Sequence, residues 1–171
     1  LSTDKAQKKK DAWEEAIPPG IEMLEIASDF PRPKVNNLAG KSKYFELEAN
    51  LATEVKNFAK RYSVNSFTVL LAAFSIFLNR LSNKKKILIG VPLTNRRKVE
   101  FSQTFGCFVN ILPVLADFQN EVTGDEILLQ IRQSLLKAHT KQEVPFLIIN
   151  DLLRDNSGDS ILQAGFTFQP P

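Results

Sequence analysis

The sequence is poor in the residues on which many catalytic and metal sites depend. Its 171 residues include one cysteine, Cys107, and one histidine, His139. An internal disulfide and a cysteine-rich zinc site are therefore excluded, as is any mechanism that needs two histidines from these residues. Only 7 glycines are present and none forms a G-x-G-x-x-G pattern. A phosphate-binding nucleotide loop is therefore not indicated.

Charge and hydropathy are those of an ordinary globular domain. The charges of 22 basic and 19 acidic residues give a net charge of +3, and 43% of the residues are hydrophobic. Nucleic-acid binding needs basic residues clustered on one face, so we predict no nucleic-acid partner. The longest apolar stretch, residues 69–78, is about half a membrane span, and no apolar stretch follows the first lysines. We therefore expect a cytoplasmic protein without a membrane segment or a signal peptide.

Both ends of the chain indicate a piece of a longer polypeptide, because it begins at Leu1 and ends directly after a strand-like segment. Residues 11–16 are weakly helical until a Pro-Pro-Gly sequence ends the pattern. Prolines then keep residues 27–43 extended. We predict that residues 1–43 are a connector from a preceding lobe, and that residues 44–171 form an ordered lobe that is incomplete at its C-terminal end.

Helix and strand patterns alternate from residue 44 onwards. The predicted strands are residues 44–48, 87–91, 108–117 and 161–169, with Pro92 ending the second and Pro113 bending or breaking the third. The predicted helices are capped by Asn50, by Ser66 and by a capping box formed by Thr123 and Glu126, and a further helix follows Pro145. This alternation predicts an α/β two-layer sandwich with a mixed sheet and packed helices.

Five stretches, in the same order, resemble motifs of the second half of nonribosomal peptide synthetase condensation domains. They are D-F-P-R-P at 29–33, G-V-P-L-T-N-R at 90–96, F-G-C-F-V-N-I at 105–111, Q-E-V-P-F at 142–146 and R-D-N-S-G-D-S-I at 154–161. The family patterns are D-x-P-R-P, G-x-P-x-x-N-R, G-x-F-V-N-T, H/N-Q-D-x-P-F-E and R-D-x-S-R-N-P-L. The chain departs from them at Ile111, Glu143, Leu147, Gly158 and Asp159.

The resemblance implies one lobe of a pseudo-dimer of two chloramphenicol-acetyltransferase-like lobes with a tunnel between them. In that family, an amine of one carrier-bound thioester attacks the acyl or peptidyl thioester of another. The implied partners are the N-terminal lobe, donor and acceptor carrier proteins and an adjacent adenylation domain. Phosphopantetheine arms deliver the substrates, and no metal or directly bound cofactor is implied. The catalytic H-H-x-x-x-D-G segment precedes this chain, so we expect the chain alone to be inactive.

The resemblance implies that two polar residues of this chain support the active site. Arg96, which follows Asn95 after a predicted strand, would pair with the aspartate of the H-H-x-x-x-D-G segment; the alternative is a solvated loop cation. Asn110, on an apolar strand, either braces the tunnel wall or satisfies a neighbouring strand edge. The remaining tunnel or motif positions are Gly106, Phe108, Val109, Gln142, Pro145, Phe146, Arg154, Asp155 and Ser157.

Other chemically active residues are interpreted as structural. His139 would favour the negative end of a helix, and Cys107 has no activating base nearby and is predicted to be a small buried hydrophobe. Asp155, Ser157 and Asp159 lack the spacing of a calcium loop and indicate a turn. The basic runs at 8–10, 84–86 and 96–98 are solvated or contact an acidic carrier protein;.

Two other functions remain open. The chain can be a non-catalytic module that binds carrier proteins or acts as a scaffold, keeping the fold of the lobe without its chemistry. It can also belong to another acyltransferase of the same superfamily that acts on a free amine or alcohol.

Overall fold

Helices and strands alternate along the chain, as the sequence predicts. The structure is a computed structural model that describes residues 3–31, 40–96, 99–154 and 160–169. The helices are α1 (Thr3–Glu14), α2 (Ala49–Arg61), α3 (Ser66–Ser82), α4 (Gly124–Thr140) and α5 (Phe146–Leu152). The strands are β1 (Lys86–Leu93), β2 (Asn110–Asp117) and β3 (Ala164–Gly165), and a single 3₁₀ turn covers Val99–Phe101.

The described strands form one mixed sheet in the order β2-β1-β3. β1 and β2 pair in antiparallel register from Lys86 opposite Asp117 to Leu93 opposite Asn110. β3 pairs in parallel with the middle of β1, where Gly165 lies beside Gly90. An antiparallel and a parallel pair in one sheet, with helices packed on it, confirm the predicted α/β fold with a mixed sheet.

The main core lies between this sheet and the helices α2, α3 and α4. Successive side chains of a strand point to opposite faces, and Ile87, Ile89 and Val91 of β1 pack on the same cluster as Leu71 of α3 and Ile131 of α4. These side chains are at most 2% exposed. Burial of each contributes about 1.5–3 kcal/mol relative to exposure, so the helices are held to the sheet mainly by apolar contacts.

Prolines are accommodated inside both long strands, contrary to the prediction that Pro92 ends one and Pro113 bends or breaks the other. Phe166 N donates to Gly90 O over 2.9 Å, so the polar groups of Gly90 face β3. Gly90 and its partner Pro113 therefore form a non-hydrogen-bonded pair, and the nitrogen of Pro113 faces the outer edge of β2. No ladder hydrogen bond is lost there.

The outer edge of β2 is covered by α4. Along an antiparallel strand, alternate residues direct their polar groups to the same side. Leu115, two residues beyond Pro113, therefore also faces outward, and its N–H donates to Ser134 Oγ of α4 over 2.9 Å.

The prediction of a strand at 44–48 is wrong. The segment is irregular, and Tyr44 and Phe45 are 92% and 79% exposed. Alternation of side chains stabilises a strand only when its backbone pairs with a neighbour, and no described strand pairs with this segment. The strand predicted at 161–169 is likewise reduced to Ala164–Gly165, the two residues paired with β1.

Predicted helix starts are off by one residue at α3, by two at α2 and by eight at α1, which begins at Thr3 instead of Asp11. Asn65, not Ser66, caps α3, and its side chain accepts from Thr68 N. α2 starts after Glu48 without a side-chain cap. The predicted capping box at the start of α4 is confirmed in both directions, since Thr123 and Glu126 each accept a backbone N–H of the other.

The described part of the predicted connector packs on the lobe. Trp13 of α1 is 3% exposed, and its Nε1 donates to Lys141 O over 3.2 Å. Lys84 forms an ion pair with Glu22. The division of the chain at residue 43 stays a prediction.

Among the described residues, no single helix is long and apolar enough to cross a membrane. The pair formed by α2 and α3, bent by 104° at the break, meets the length and composition requirement together.

Candidate functional site

Asn110 connects two of the predicted motif segments. It is the first residue of β2 and is 7% exposed. Its Nδ2 donates to Gln142 O over 2.9 Å and to Val144 O over 2.7 Å. Its Oδ1 accepts from Phe146 N over 2.8 Å. Both donors and one acceptor site of the carboxamide are used, so Asn110 braces the backbone between α4 and α5.

The local sequence explains why this loop needs a side-chain partner. α4 ends at Thr140, and Pro145 is the N-cap of α5 with φ −57° and ψ 141°. Proline supplies no side-chain cap to the first N–H groups of the helix. The Oδ1 of Asn110 takes the N–H of Phe146 instead. Pro145 itself is exposed, and Phe146 is half-buried.

Gln142 extends the network to the single histidine. Gln142 is 2% exposed, and its Nε2 lies 3.2 Å from Nδ1 of His139. His139 is exposed in the last turn of α4, which is the position that the helix-terminus interpretation requires.

The guanidinium of Arg96 organises the loop between β1 and β2. Its Nη1 donates to Phe101 O and, over 2.8 Å, to Thr104 O. Its Nη2 donates to Gly106 O over 2.9 Å, and its Cζ lies 4.3 Å from the ring centroid of Phe108. Three carbonyls and one aromatic face thus converge on a single side chain, because only arginine offers several donors in one plane.

Backbone conformation in this loop depends on two further motif positions. Asn95 adopts φ 50° and Gly106 adopts φ 146°. Asparagine tolerates the left-handed region better than most residues, and the Gly106 value is one that L side chains rarely adopt. Phe101 and Phe108 stack with their ring centroids 5.3 Å apart, so the loop has its own small aromatic cluster.

The prediction that Cys107 is buried is wrong, since its side chain is exposed. The strand expected from residue 108 begins only at Asn110, so Cys107 lies in a surface loop rather than on the inner face of the sheet. Phe105 and Val109 of the same loop are 105% and 57% exposed. The loop around Cys107 is therefore largely exposed to solvent.

The last predicted motif is described only in part. Arg154 is exposed, and its Nε donates to Asp151 Oδ1 over 3.3 Å. Asp155 and Ser157 lie outside the described residues, as do Arg32 and Pro33 of the first motif. The second and third cations of the run at 96–98 also lie outside them.

A cleft of about 370 Å³ is lined by Ile111, which follows Asn110 in β2, and by Phe146, which is hydrogen-bonded to Asn110. Three motif segments contribute to it through Pro92, Ile111 and Phe146, and Leu162 and Phe166 close its opposite side. Leu162 and Phe166 were not among the predicted site residues. The signal that could have found the cleft is Gly90 within the apolar run I-L-I-G-V, because an isolated glycine in a strand marks a close approach;.

A larger cleft of about 510 Å³ lies between α1, β2 and α4. It contains charged side chains, including Lys137 and Lys141, and none of the predicted site residues. The larger of these two clefts is therefore not the one that the motif segments line.

Among the described residues, the shifted pKa values arise from local hydrogen bonds and from one ion pair. Hydrogen bonds from Thr123 hold the pKa of Glu126 below its usual value, and Lys84 lowers the pKa of Glu22. The hydrogen bond to Asp125 raises the pKa of Tyr62. Within the described ranges, no three His, Cys, Asp or Glu side chains are grouped to hold a metal ion.

Comparison of the chain with protein-family models agrees with the arrangement of its motif segments. The family model described as Condensation domain matches residues 1–171. The chain therefore belongs to the condensation-domain family, and the prediction from the five motifs is confirmed.

Its relatives are much longer proteins. The chain is 28% identical over 169 residues to bacitracin synthase 2 of Bacillus licheniformis, covering 97% of this chain and 6% of that protein. It is 31% identical over 146 residues to malpinin synthetase of Mortierella alpina, covering 85% of this chain and 2% of that protein. The chain thus spans a small fraction of the relatives it matches.

Solved structures share the fold. A four-domain nonribosomal peptide synthetase bound to AMP and glycine superposes with a TM-score of 0.79 at 24% identity, covering 96% of this chain and 12% of that one. The X-domain from teicoplanin biosynthesis superposes with a TM-score of 0.83 at 17% identity, covering 96% of this chain and 37% of that one.

Proposed function

We propose that this chain is the C-terminal lobe of a condensation domain that forms an amide bond between two carrier-bound thioesters. The amine nitrogen of an aminoacyl thioester attacks the carbonyl carbon of an acyl or peptidyl thioester. A C–N bond forms, the C–S bond breaks, and the amine proton leaves with the donor thiolate as a thiol. The observation that carries the proposal is the convergence of three motif segments at Asn110 and its cleft, in a chain that matches the family model throughout.

Arg96 is a positioning residue in this proposal. Its three carbonyl partners occupy both hydrogens of Nη1 and one of Nη2. Within the described ranges, Nε and the second Nη2 hydrogen have no acceptor, and these two donors can bind a carboxylate. The resemblance supplies that carboxylate as the aspartate of the H-H-x-x-x-D-G segment of the other lobe. Arg96 would then join the loop between β1 and β2 to the catalytic segment.

The catalytic histidine comes from the other lobe in this proposal. The one histidine of the chain is exposed at the end of α4 and contacts Gln142, a geometry that fits a helix terminus. Residues 1–171 alone are therefore inactive. The partners are the N-terminal lobe, a donor and an acceptor carrier protein, whose phosphopantetheine arms present the substrates, and a neighbouring adenylation domain. The site of action is the cytoplasm.

The test is a condensation assay with loaded donor and acceptor carriers. A two-lobed polypeptide that contains the H-H-x-x-x-D-G lobe and the complete second lobe, including residues 1–171, should form the amide, and residues 1–171 alone should not. Arg96→Lys should lower kcat/KM by about 100-fold, because lysine cannot hold three carbonyls and misplaces the loop. Arg132→Lys is the matched control, since Arg132 is exposed on α4. Amide formation by residues 1–171 alone, or none by the two-lobed polypeptide, would contradict the proposal.

A non-catalytic binding module is the second candidate. The observation that favours it is the fold shared with the X-domain from teicoplanin biosynthesis, whose complex with OxyB superposes on this chain with a TM-score of 0.82 at 18% identity. This candidate predicts that the two-lobed polypeptide makes no amide while residues 1–171 bind a partner protein. Isothermal titration with a holo carrier protein measures that binding directly.

A further inference from the structure

The cleft beside Asn110 has an apolar lining. Its walls include Pro92, Ile111, Phe146 and Phe166. The described residues that line it also include two polar ones, Gln163 and Thr167, and none that is charged. Its volume of about 370 Å³ lies within the range of roughly 300–1,000 Å³ that small-molecule sites occupy. An apolar lining without a charged group favours an uncharged hydrocarbon group, since a charge placed there would lose water without gaining a partner.

Two glycines lie in the floor of this cleft, and only one of them leaves space above it. Gly90 of β1 and Gly165 of β3 are neighbours across the parallel pair, and both line the cleft. A Cβ at Gly90 would lie 3.1 Å from Ile111 Cγ2 and 3.2 Å from Leu162 Cδ2, so these two side chains already fill the space next to Gly90. A Cβ at Gly165 would meet no atom closer than Gly90 O at 3.7 Å. The free space is therefore above Gly165.

The wall of the cleft is fixed by Asn110. Ile111 follows Asn110 in β2, and neighbouring residues of a strand point to opposite faces. Phe146, on the facing wall, donates its backbone N–H to Asn110 Oδ1 over 2.8 Å. One buried carboxamide thus sets the separation of two walls of the cleft before any ligand arrives, and a preformed site binds more tightly than one that must be ordered.

We infer that this cleft binds the apolar side chain or acyl chain of one of the two thioester substrates, and thereby selects against charged substrates. The inference rests on the proposed function for the identity of the ligand as a thioester. Its chemistry, a hydrocarbon group seated between Ile111, Phe146 and Phe166, follows from the lining alone.

The test is direct binding of small thioesters to residues 1–171, measured by isothermal titration. The probes are the N-acetylcysteamine thioesters of leucine, of hexanoate and of aspartate. The leucyl or the hexanoyl probe should bind at least about 10-fold more tightly than the aspartyl probe. Preference for the leucyl probe identifies the aminoacyl substrate, and preference for the hexanoyl probe identifies the acyl substrate.

Gly165→Val fills the space above the floor and should weaken binding of the preferred probe by about 10-fold or more. Gly124→Ala is the matched control, because a Cβ there meets no atom within 4 Å and Gly124 lies outside the cleft. Phe146→Leu is a second variant that keeps the N–H bonded to Asn110 and widens the cleft, and it should shift the preference towards a bulkier phenylalanyl probe. Circular dichroism verifies that each variant is folded.

Three results would overturn the inference: equal binding of leucyl, hexanoyl and aspartyl probes, no binding of any probe, or unchanged binding in both Gly165→Val and Phe146→Leu. None of these measurements involves amide formation. Failure of the two-lobed polypeptide to condense would therefore refute the proposed function and leave the binding result to decide the inference by itself.

Discussion

Replacing Asn110 by alanine tests the central contact of the candidate site. The substitution removes two donors and one acceptor together, and leaves Gln142 O, Val144 O and Phe146 N without the partner they have now. Gln142 and Val144 are 2% and 4% exposed, so water cannot reach them without movement of the loop. The loop between α4 and α5 must therefore either open or keep unpaired polar groups.

The expected loss is a large part of the stability of the lobe. A net hydrogen bond contributes about 0.5–1.5 kcal/mol, and a buried polar group left unpaired costs about 1–3 kcal/mol. With three such groups and partial relaxation of the loop, we expect the free energy of unfolding to fall by about 3–4 kcal/mol. Domains of this kind have about 5–15 kcal/mol in total, so the variant should remain folded but weakened.

Urea unfolding followed by circular dichroism measures this loss. Asn79→Ala is the matched control, because Asn79 makes one comparable bond, Nδ2 to Lys84 O over 2.9 Å, and should cost about 1 kcal/mol. A loss for Asn110→Ala no greater than for the control would refute the reasoning.

Asn110→Asp adds a test by pH. The new carboxylate would face two carbonyl oxygens that now accept from Nδ2, which raises its pKa in the folded state above the unfolded value. The folded protein then binds the extra proton more tightly, so the variant should be most stable below the unfolded pKa and lose stability as pH rises through the folded pKa. A variant that is less stable at acidic than at neutral pH, relative to the parent, would contradict this.

Three further predictions concern the scaffold. Thr123→Ala should lower the free energy of unfolding in urea by about 1 kcal/mol. Because Thr123 lowers the pKa of Glu126, this stabilisation is present above the usual carboxyl pKa. The difference in stability between parent and variant should therefore shrink as pH falls through the lowered pKa of Glu126. Gly90→Ala should cost about 1–3 kcal/mol by overpacking, since its Cβ would approach two side chains within 3.2 Å, and an unchanged urea midpoint would contradict that. Trp13 should emit at short wavelength because it is 3% exposed. Lys141→Ala removes the ammonium group that lies 5.8 Å from the centroid of the Trp13 ring, and it should shift the fluorescence to the red without a change in helicity.

Most elements could be predicted because their signals are local. The capping box formed by Thr123 and Glu126 and the continuous apolar run of β1 each encode an element within one stretch of chain. The strands that failed depend on partners elsewhere. Residues 44–48 alternate correctly and still form no described strand, and 161–169 are strand only at Ala164–Gly165, where β1 is available for pairing.

The sequence motifs identify residues of the candidate site, but they do not identify the atoms that these residues contact. The motifs single out Arg96, Asn110 and Phe146, and all three take part in the networks seen here. The partners of Arg96 and Asn110 are mainly backbone carbonyls, and a carbonyl leaves no signature in the side-chain sequence. Cys107 failed for a related reason, because its burial depends on where β2 begins rather than on its neighbours.

The outer edge of β2 has a consequence for assembly. An unpaired strand edge offers a row of N–H and C=O groups that can template a strand of another molecule. Here Pro113 places a nitrogen without hydrogen on that edge, and the next outward N–H, that of Leu115, is already bonded to Ser134. Two consecutive outward-facing positions of β2, next to α4, therefore offer no free N–H group to another strand. Pairing of another strand along β2 is thereby hindered at Pro113 and Leu115, and Pro113→Val with Ser134→Ala would restore two N–H donors to that edge.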